Sequence, residues 1–181
     1  ITPPPADHIQ TTHDLLDKKA GLVPDKLAYR FLADGETGEQ LLTYGDLAAR
    51  ARATASALLD KGCGGHPVLL TCPPGLDFII GLFACWFAGA IAVPVYPPRG
   101  SRHKKRLLSV SSDCGATIAI TGMEGETIPG ITALFPASLP APAESRAFPS
   151  VDPDAPCLLQ YTSGSPAGPK GVMLSQANLR G

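Results

Sequence analysis

Eighteen consecutive residues, Phe78 to Val95, carry no charge, and where they go limits what the rest of the chain can fold into. The run meets the lower length limit of a membrane-spanning helix. Its interior argues against one, because Gly89 and Pro94 divide it into a helix-sized piece, Leu76 to Ala88, and a strand-sized piece, Ala90 to Val95. An apolar helix feeding a short apolar strand is the pattern of a parallel sheet covered on both faces. The run therefore predicts a buried core.

The flanking sequence repeats the alternation. Thr11 or Thr12 caps a predicted helix over His13 to Ala20, and Leu27 to Ala33 with Gln40 to Thr43 read as a hairpin around Asp34 to Gly38. Thr43 with Asp46 three residues on resembles a capping box, and Leu47, Ala51, Ala55 and Leu58 fall on one helical face until Gly62. Pro67 to Thr71 reads as a strand, Arg102 to Asp113 as a helix stopped near Gly115, and Ala116 to Thr121 and Cys157 to Thr162 as further strands. Short βαβ units of this kind predict an α/β fold with a mostly parallel, doubly wound sheet and right-handed crossovers. Residues 122–156 hold seven of the 19 prolines and no usable period, so they read as a long surface connection.

Composition removes several classes of function. Lys and Arg total 15 against 16 Asp and Glu, which gives no basic surplus for nucleic acid or an anionic membrane. The charged share is 17%, below the usual one of about 25%, and such a chain can bury a core. Cys63, Cys72, Cys85, Cys114 and Cys157 include no C-x-x-C, which speaks against a zinc ribbon or a disulfide scaffold and for buried small hydrophobes. His8, His13, His66 and His103 show no ligand spacing, and no metal is expected on the protein itself. The start, Ile1 to Ala6, has neither a basic segment nor an apolar run, so the expected location is cytoplasmic.

The chemistry concentrates in Tyr161 to Ser175, YTSGSPAGPKGVMLS, a turn rich in hydroxyls and glycine with one lysine, between two short apolar strands. Glycines let successive backbone N–H groups converge, Thr162, Ser163 and Ser165 offer hydroxyls, and Lys170 adds a cation, which together suit a polyphosphate. A Walker A loop is excluded because Pro169 and Gly171 flank Lys170 where Gly and Ser or Thr are required. No G-x-G-x-x-G follows a strand. The plainer alternative is a Ser/Gly/Pro loop that only turns the chain.

Thr162-Ser-Gly-Ser-Pro-Ala-Gly-Pro-Lys-Gly171 resembles the phosphate loop of the adenylate-forming enzymes, T-S-G-[ST]-T-G-x-P-K-G, the group of acyl-CoA synthetases, luciferases and peptide-synthetase adenylation domains. Ala92-Val-Pro-Val-Tyr-Pro-Pro-Arg99, followed by a basic helix, is similar to the fatty acyl-AMP ligases within it. The likeness runs from about Thr43 to Arg180. It implies that Thr162, Ser163, Gly164, Ser165, Lys170 and Gly171 bind the phosphates of ATP, used with Mg²⁺. Pro166 and Ala167 stand where the family most often has Thr and Gly, removing one hydroxyl and one N–H, and Gln176 stands where His is common.

The resemblance further implies ATP-dependent activation of a fatty acid to an acyl adenylate, followed by transfer to an acyl carrier protein, with coenzyme A as the alternative acceptor. Family members are several hundred residues longer. The expectation is thus a single partial N-terminal domain, 1–181, with no catalytic residue of its own and inactive alone. A fatty acyl-CoA synthetase and a non-catalytic adenylate-like module are the other readings. Arg99, Arg102, Lys104, Lys105 and Arg106 could meet a carrier protein or its phosphopantetheine, although a solvated helix face is simpler; Phe83, Trp86 and Phe87 could wall an acyl tunnel, although plain core is simpler.

Overall fold

The computed structural model describes residues 10–33, 35–36, 38–122, 127–136, 139, 146–162 and 170–180. Helix α1 (Thr12–Leu22) leads into a hairpin of β1 (Leu27–Leu32) and β2 (Glu39–Thr43), followed by α2 (Tyr44–Asp60). Then come β3 (Pro67–Leu70), α3 (Leu76–Phe87), β4 (Ile91–Pro94), α4 (Ser101–Cys114), β5 (Ile118–Ile120), β6 (Thr132–Leu134), β7 (Pro156–Tyr161), β8 (Gly171–Ser175) and α5 (Gln176–Arg180). The uncharged run is therefore divided between α3 and β4, as its Gly89 and Pro94 predict. Among the described residues, no helix is long and apolar enough to cross a membrane.

Local chemistry starts the helices where the sequence places them. Thr11 caps α1 in a complete capping box with Asp14, and the Thr43 hydroxyl accepts from the Asp46 N–H while donating to its carboxylate at 2.8 Å. Such caps satisfy backbone donors that a helix start otherwise leaves unpaired.

Six strands form one sheet in the order β6-β5-β3-β4-β7-β8, parallel except for the last pair. Its central strands are buried on both faces. Val68 and Leu70 of β3 join a cluster with α1, α2 and α3, whereas Leu69 joins Leu107 and Val110 of α4. Ala92 and Val93 of β4 divide in the same way. Consecutive side chains of a strand point to opposite faces, so α3 covers one face and α4 the other, which makes the sheet doubly wound.

Helix α3 lies very close to the sheet. A Cβ on Gly81 would come within 3.2 Å of both Ile120 Cγ2 and Leu70 Cδ2. Trp86 donates its indole N–H to the Cys157 carbonyl at 3.1 Å, tying α3 to β7, and Phe83, Trp86 and Phe87 are core side chains. All five cysteines are free thiols, four of them buried and Cys114 partly so. Burial, aided by Asp77, pushes the Cys72 thiol up to about 12, so it is inert at neutral pH.

The surface-connection reading of 122–156 needs correction. Residues 132–134 form β6, pairing Ile118 with Thr132, Ala119 with Ala133 and Ile120 with Leu134. Three residues are too few to show a period of two, and prolines 129 and 136 flank them. Farther on, Phe148 packs against Phe87 with ring centroids 5.8 Å apart, so this segment also returns to the core.

The close approach of α3 predicts that Gly81→Val lowers unfolding stability by about 1–3 kcal/mol, read from urea midpoints. A variant as stable as the parent contradicts the packing.

Candidate functional site

The winding of the sheet creates a crevice. β3 continues into α3 on one face while its neighbour β4 continues into α4 on the other, so the two connections separate at the carboxyl ends of the strands, where ligands of open α/β sheets bind. β7 runs parallel to β4 and ends at that same edge, and β8 returns antiparallel to it. The hydroxyl-rich sequence thus lies between the strands of a hairpin at the edge where chemistry is expected.

The hairpin is closed at its base by the Thr162 N–H, which donates to the Lys170 carbonyl at 3.1 Å. Thr162 and Lys170 are thereby brought together, both exposed, eight residues apart in sequence. Ser163, Gly164 and Ser165, together with Pro166 and Ala167, lie outside the described residues. Gly171 pairs with Tyr161 as the first residue of β8. Its lack of a side chain is a matter of space: a Cβ there would be 2.6 Å from Leu159 Cδ1 and 3.3 Å from Tyr161 Cζ.

Helix α4 supplies contacts that the motif does not announce. Arg106 Nη2 donates to the Thr162 carbonyl at 3.0 Å, and the Tyr161 hydroxyl donates to Asp113 Oδ2 at 2.5 Å. Burial, and then the bond to Asp113, push the Tyr161 phenol well above its ordinary range, so it stays protonated. Arg99, Arg102, Lys104 and Lys105 are exposed; only Arg106 of the basic run is half-buried. The sequence shows only that Arg106 and Asp113 lie about two turns apart on one side of the helix, not what that side faces.

Gln176 is fully buried, and its Oε1 accepts from the Thr12 N–H at 3.0 Å, fastening the chain after β8 to the start of α1. Ser175 caps α5, its hydroxyl accepting from the Asn178 N–H at 3.2 Å.

A family model described as AMP-binding enzyme matches residues 16–180. The chain belongs to this family. It is 34% identical to a medium-chain-fatty-acid–[acyl-carrier-protein] ligase, JamA, from Moorena producens, over 93% of this chain and 31% of that protein. It is 35% identical to the long-chain-fatty-acid–AMP ligase FadD32 of Mycolicibacterium smegmatis, over 86% of this chain and 27% of that one. The crystal structure of a fatty acyl-adenylate ligase from L. pneumophila, in complex with acyl adenylate and pyrophosphate, superposes with a TM-score of 0.84 at 30% identity, covering 96% of this chain and 31% of that chain. The chain therefore spans about a third of the length of these AMP-binding relatives.

Crowding over Gly171 predicts that Gly171→Ala makes the end of the Leu159 side chain move and destabilises the protein by about 1 kcal/mol in urea unfolding, while Val172→Ala, at a half-exposed side chain, costs less. Equal midpoints for Gly171→Ala and the parent contradict the packed hairpin.

Proposed function

We propose that this chain is the N-terminal part of a fatty acyl-AMP ligase and that the β7–β8 hairpin holds the β- and γ-phosphates of MgATP. The observation that carries the reading is the pairing of Thr162 with an exposed Lys170 at the carboxyl edge of a doubly wound sheet, in a member of the AMP-binding enzyme family. Ser163, Gly164, Ser165 and Gly171 complete the proposed cradle. The relatives' activities, fatty-acid–AMP and fatty-acid–acyl-carrier-protein ligation, support the substrate class.

The donors at the stem fit a polyanion. Lys170 and Arg106 are cations with N–H donors only, while the Tyr161 hydroxyl is engaged by Asp113 on α4. Mg²⁺ is proposed to enter with the nucleotide, as MgATP. When bound with ATP, Mg²⁺ neutralises charge on the phosphate oxygens.

The reaction is attack of a fatty carboxylate on the α-phosphate, releasing pyrophosphate and leaving an acyl adenylate. Negative charge grows on the departing pyrophosphate. Fixed N–H dipoles and the Lys170 ammonium stabilise that charge without reorganising, so the hairpin's contribution is positioning and electrostatics. The acyl group then passes to an acyl carrier protein thiol in the cytoplasm, with coenzyme A as the alternative acceptor. The carboxylate pocket and the remaining nucleotide contacts belong to the rest of the proposed enzyme, and this chain alone is inactive.

In the complete protein, Lys170→Ala is expected to slow fatty-acid-dependent ATP–pyrophosphate exchange by about 10–150-fold while leaving fatty-acid binding nearly unchanged, the loss of one charged hydrogen bond to phosphate. Robust exchange that does not change with Lys170→Ala defeats the cradle. No exchange in the parent, restored by Pro166→Thr with Ala167→Gly, marks a non-catalytic module instead.

A further inference from the structure

Arg106 is the one member of the basic run on α4 that is drawn out of solvent toward the hairpin. It reaches across 56 residues of sequence to the carbonyl of Thr162. Thr162 spends its N–H on Lys170, so both polar groups of its backbone are held, one by the opposite strand and one by α4. A second strut stands further along the same helix, where Asp113 takes the hydroxyl of Tyr161.

The helix is itself a firm base for these arms. Leu107 and Val110, between Arg106 and Asp113, are completely buried against Leu69 and Val93, and Leu159 and Tyr161 pack on that cluster. An arm on such a helix transmits the position of the sheet to the hairpin with little play. Guanidinium carries five N–H donors in a rigid plane, and one bond to a carbonyl leaves its charge intact beside the stem. Lys170 stands on the outgoing side of the hairpin and Arg106 touches the incoming side, so the two stems are flanked by one cation each.

We propose that Arg106 is a positioning residue for the triphosphate, bracing the incoming stem of the hairpin through the Thr162 carbonyl and placing a second fixed positive charge beside it. This rests on the phosphate-binding reading of the hairpin. Lys170 meets the departing pyrophosphate directly; Arg106 acts on it through Thr162, with Tyr161–Asp113 as the companion strut. Loss of the brace weakens nucleotide binding and leaves fatty-acid recognition alone.

The test is steady-state ATP–pyrophosphate exchange in the complete protein with Arg106→Met, Arg106→Lys, Tyr161→Phe and Lys170→Ala, together with urea unfolding midpoints. Arg106→Met is expected to raise KM for MgATP about tenfold or more, with fatty-acid KM unchanged within about twofold. Arg106→Lys, which keeps a cation and a donor, recovers most of that loss. Tyr161→Phe moves KM for MgATP in the same direction and by less. Arg106→Met with an unaltered MgATP KM overturns the brace, as does a parallel rise in both KM values together with a fallen unfolding midpoint, which marks a merely structural arginine. Should Arg106→Met not fold, Arg106→Gln, which keeps N–H donors without the charge, decides in its place: a folded variant with a raised KM for MgATP and an unchanged fatty-acid KM supports the brace, and one with an unaltered KM for MgATP, or as impaired toward fatty acid as toward MgATP, overturns it. Lys170→Ala separates the two ideas, since an effect of Lys170 without one of Arg106 removes only the brace, whereas no effect of Lys170 removes the phosphate site.

Discussion

Burial of β3 and β4 on both faces is the constraint on which the rest depends. Val68, Leu69, Leu70, Ala92 and Val93 are all fully shielded from solvent, and no single layer of helix can shield both sides of a sheet. The chain must therefore place α3 on one face and α4 on the other. That alternation opens the crevice at the carboxyl edge. It also fixes which helix lies beside β7, because α4 packs on the face that carries Leu159 and Tyr161.

From this packing follows the electrostatic arrangement of the hairpin. Its strands are joined by main-chain bonds, and its incoming strand is bound to α4 by one charged and one phenolic hydrogen bond. A polyphosphate site of fixed dipoles works only if those dipoles do not have to be reoriented when charge develops. In the proposed phosphate site, anchoring the stem to a helix whose Leu107 and Val110 are fully buried supplies that rigidity. The glycine at 171 serves the same end differently, by letting Leu159 and Tyr161 close over the stem.

Much of this was legible in the sequence because it is written in local chemistry. The uncharged run with its internal Gly89 and Pro94 predicted a helix and a strand, Thr43–Asp46 marked a helix start, and the four strands around Val68, Ala92, Ala119 and Leu158 share one sheet as expected. The family resemblance came from Thr162 to Gly171 and from Ala92 to Arg99, and agrees with the family match over 16–180. β6 was hidden because its three residues lie among prolines, and its place at the edge is set by pairing with β5 alone. Arg106 looked like one charge in a solvated row, since nothing local ties it to a carbonyl 56 residues away. Gln176, noted only as a departure from the family pattern, proved to be a buried fastener for α1. Long-range contacts of this kind have no signature in a single sequence.

The central claim is that the β7–β8 hairpin is where the phosphates are held. A crystal structure of the complete protein with bound pyrophosphate or ATP tests it most directly. The expected result is phosphate oxygens within hydrogen-bonding distance of Lys170 Nζ and of the backbone between Thr162 and Gly171, with the Thr162 carbonyl still held by Arg106. Phosphates bound elsewhere, with the Lys170 ammonium directed into solvent, contradict it.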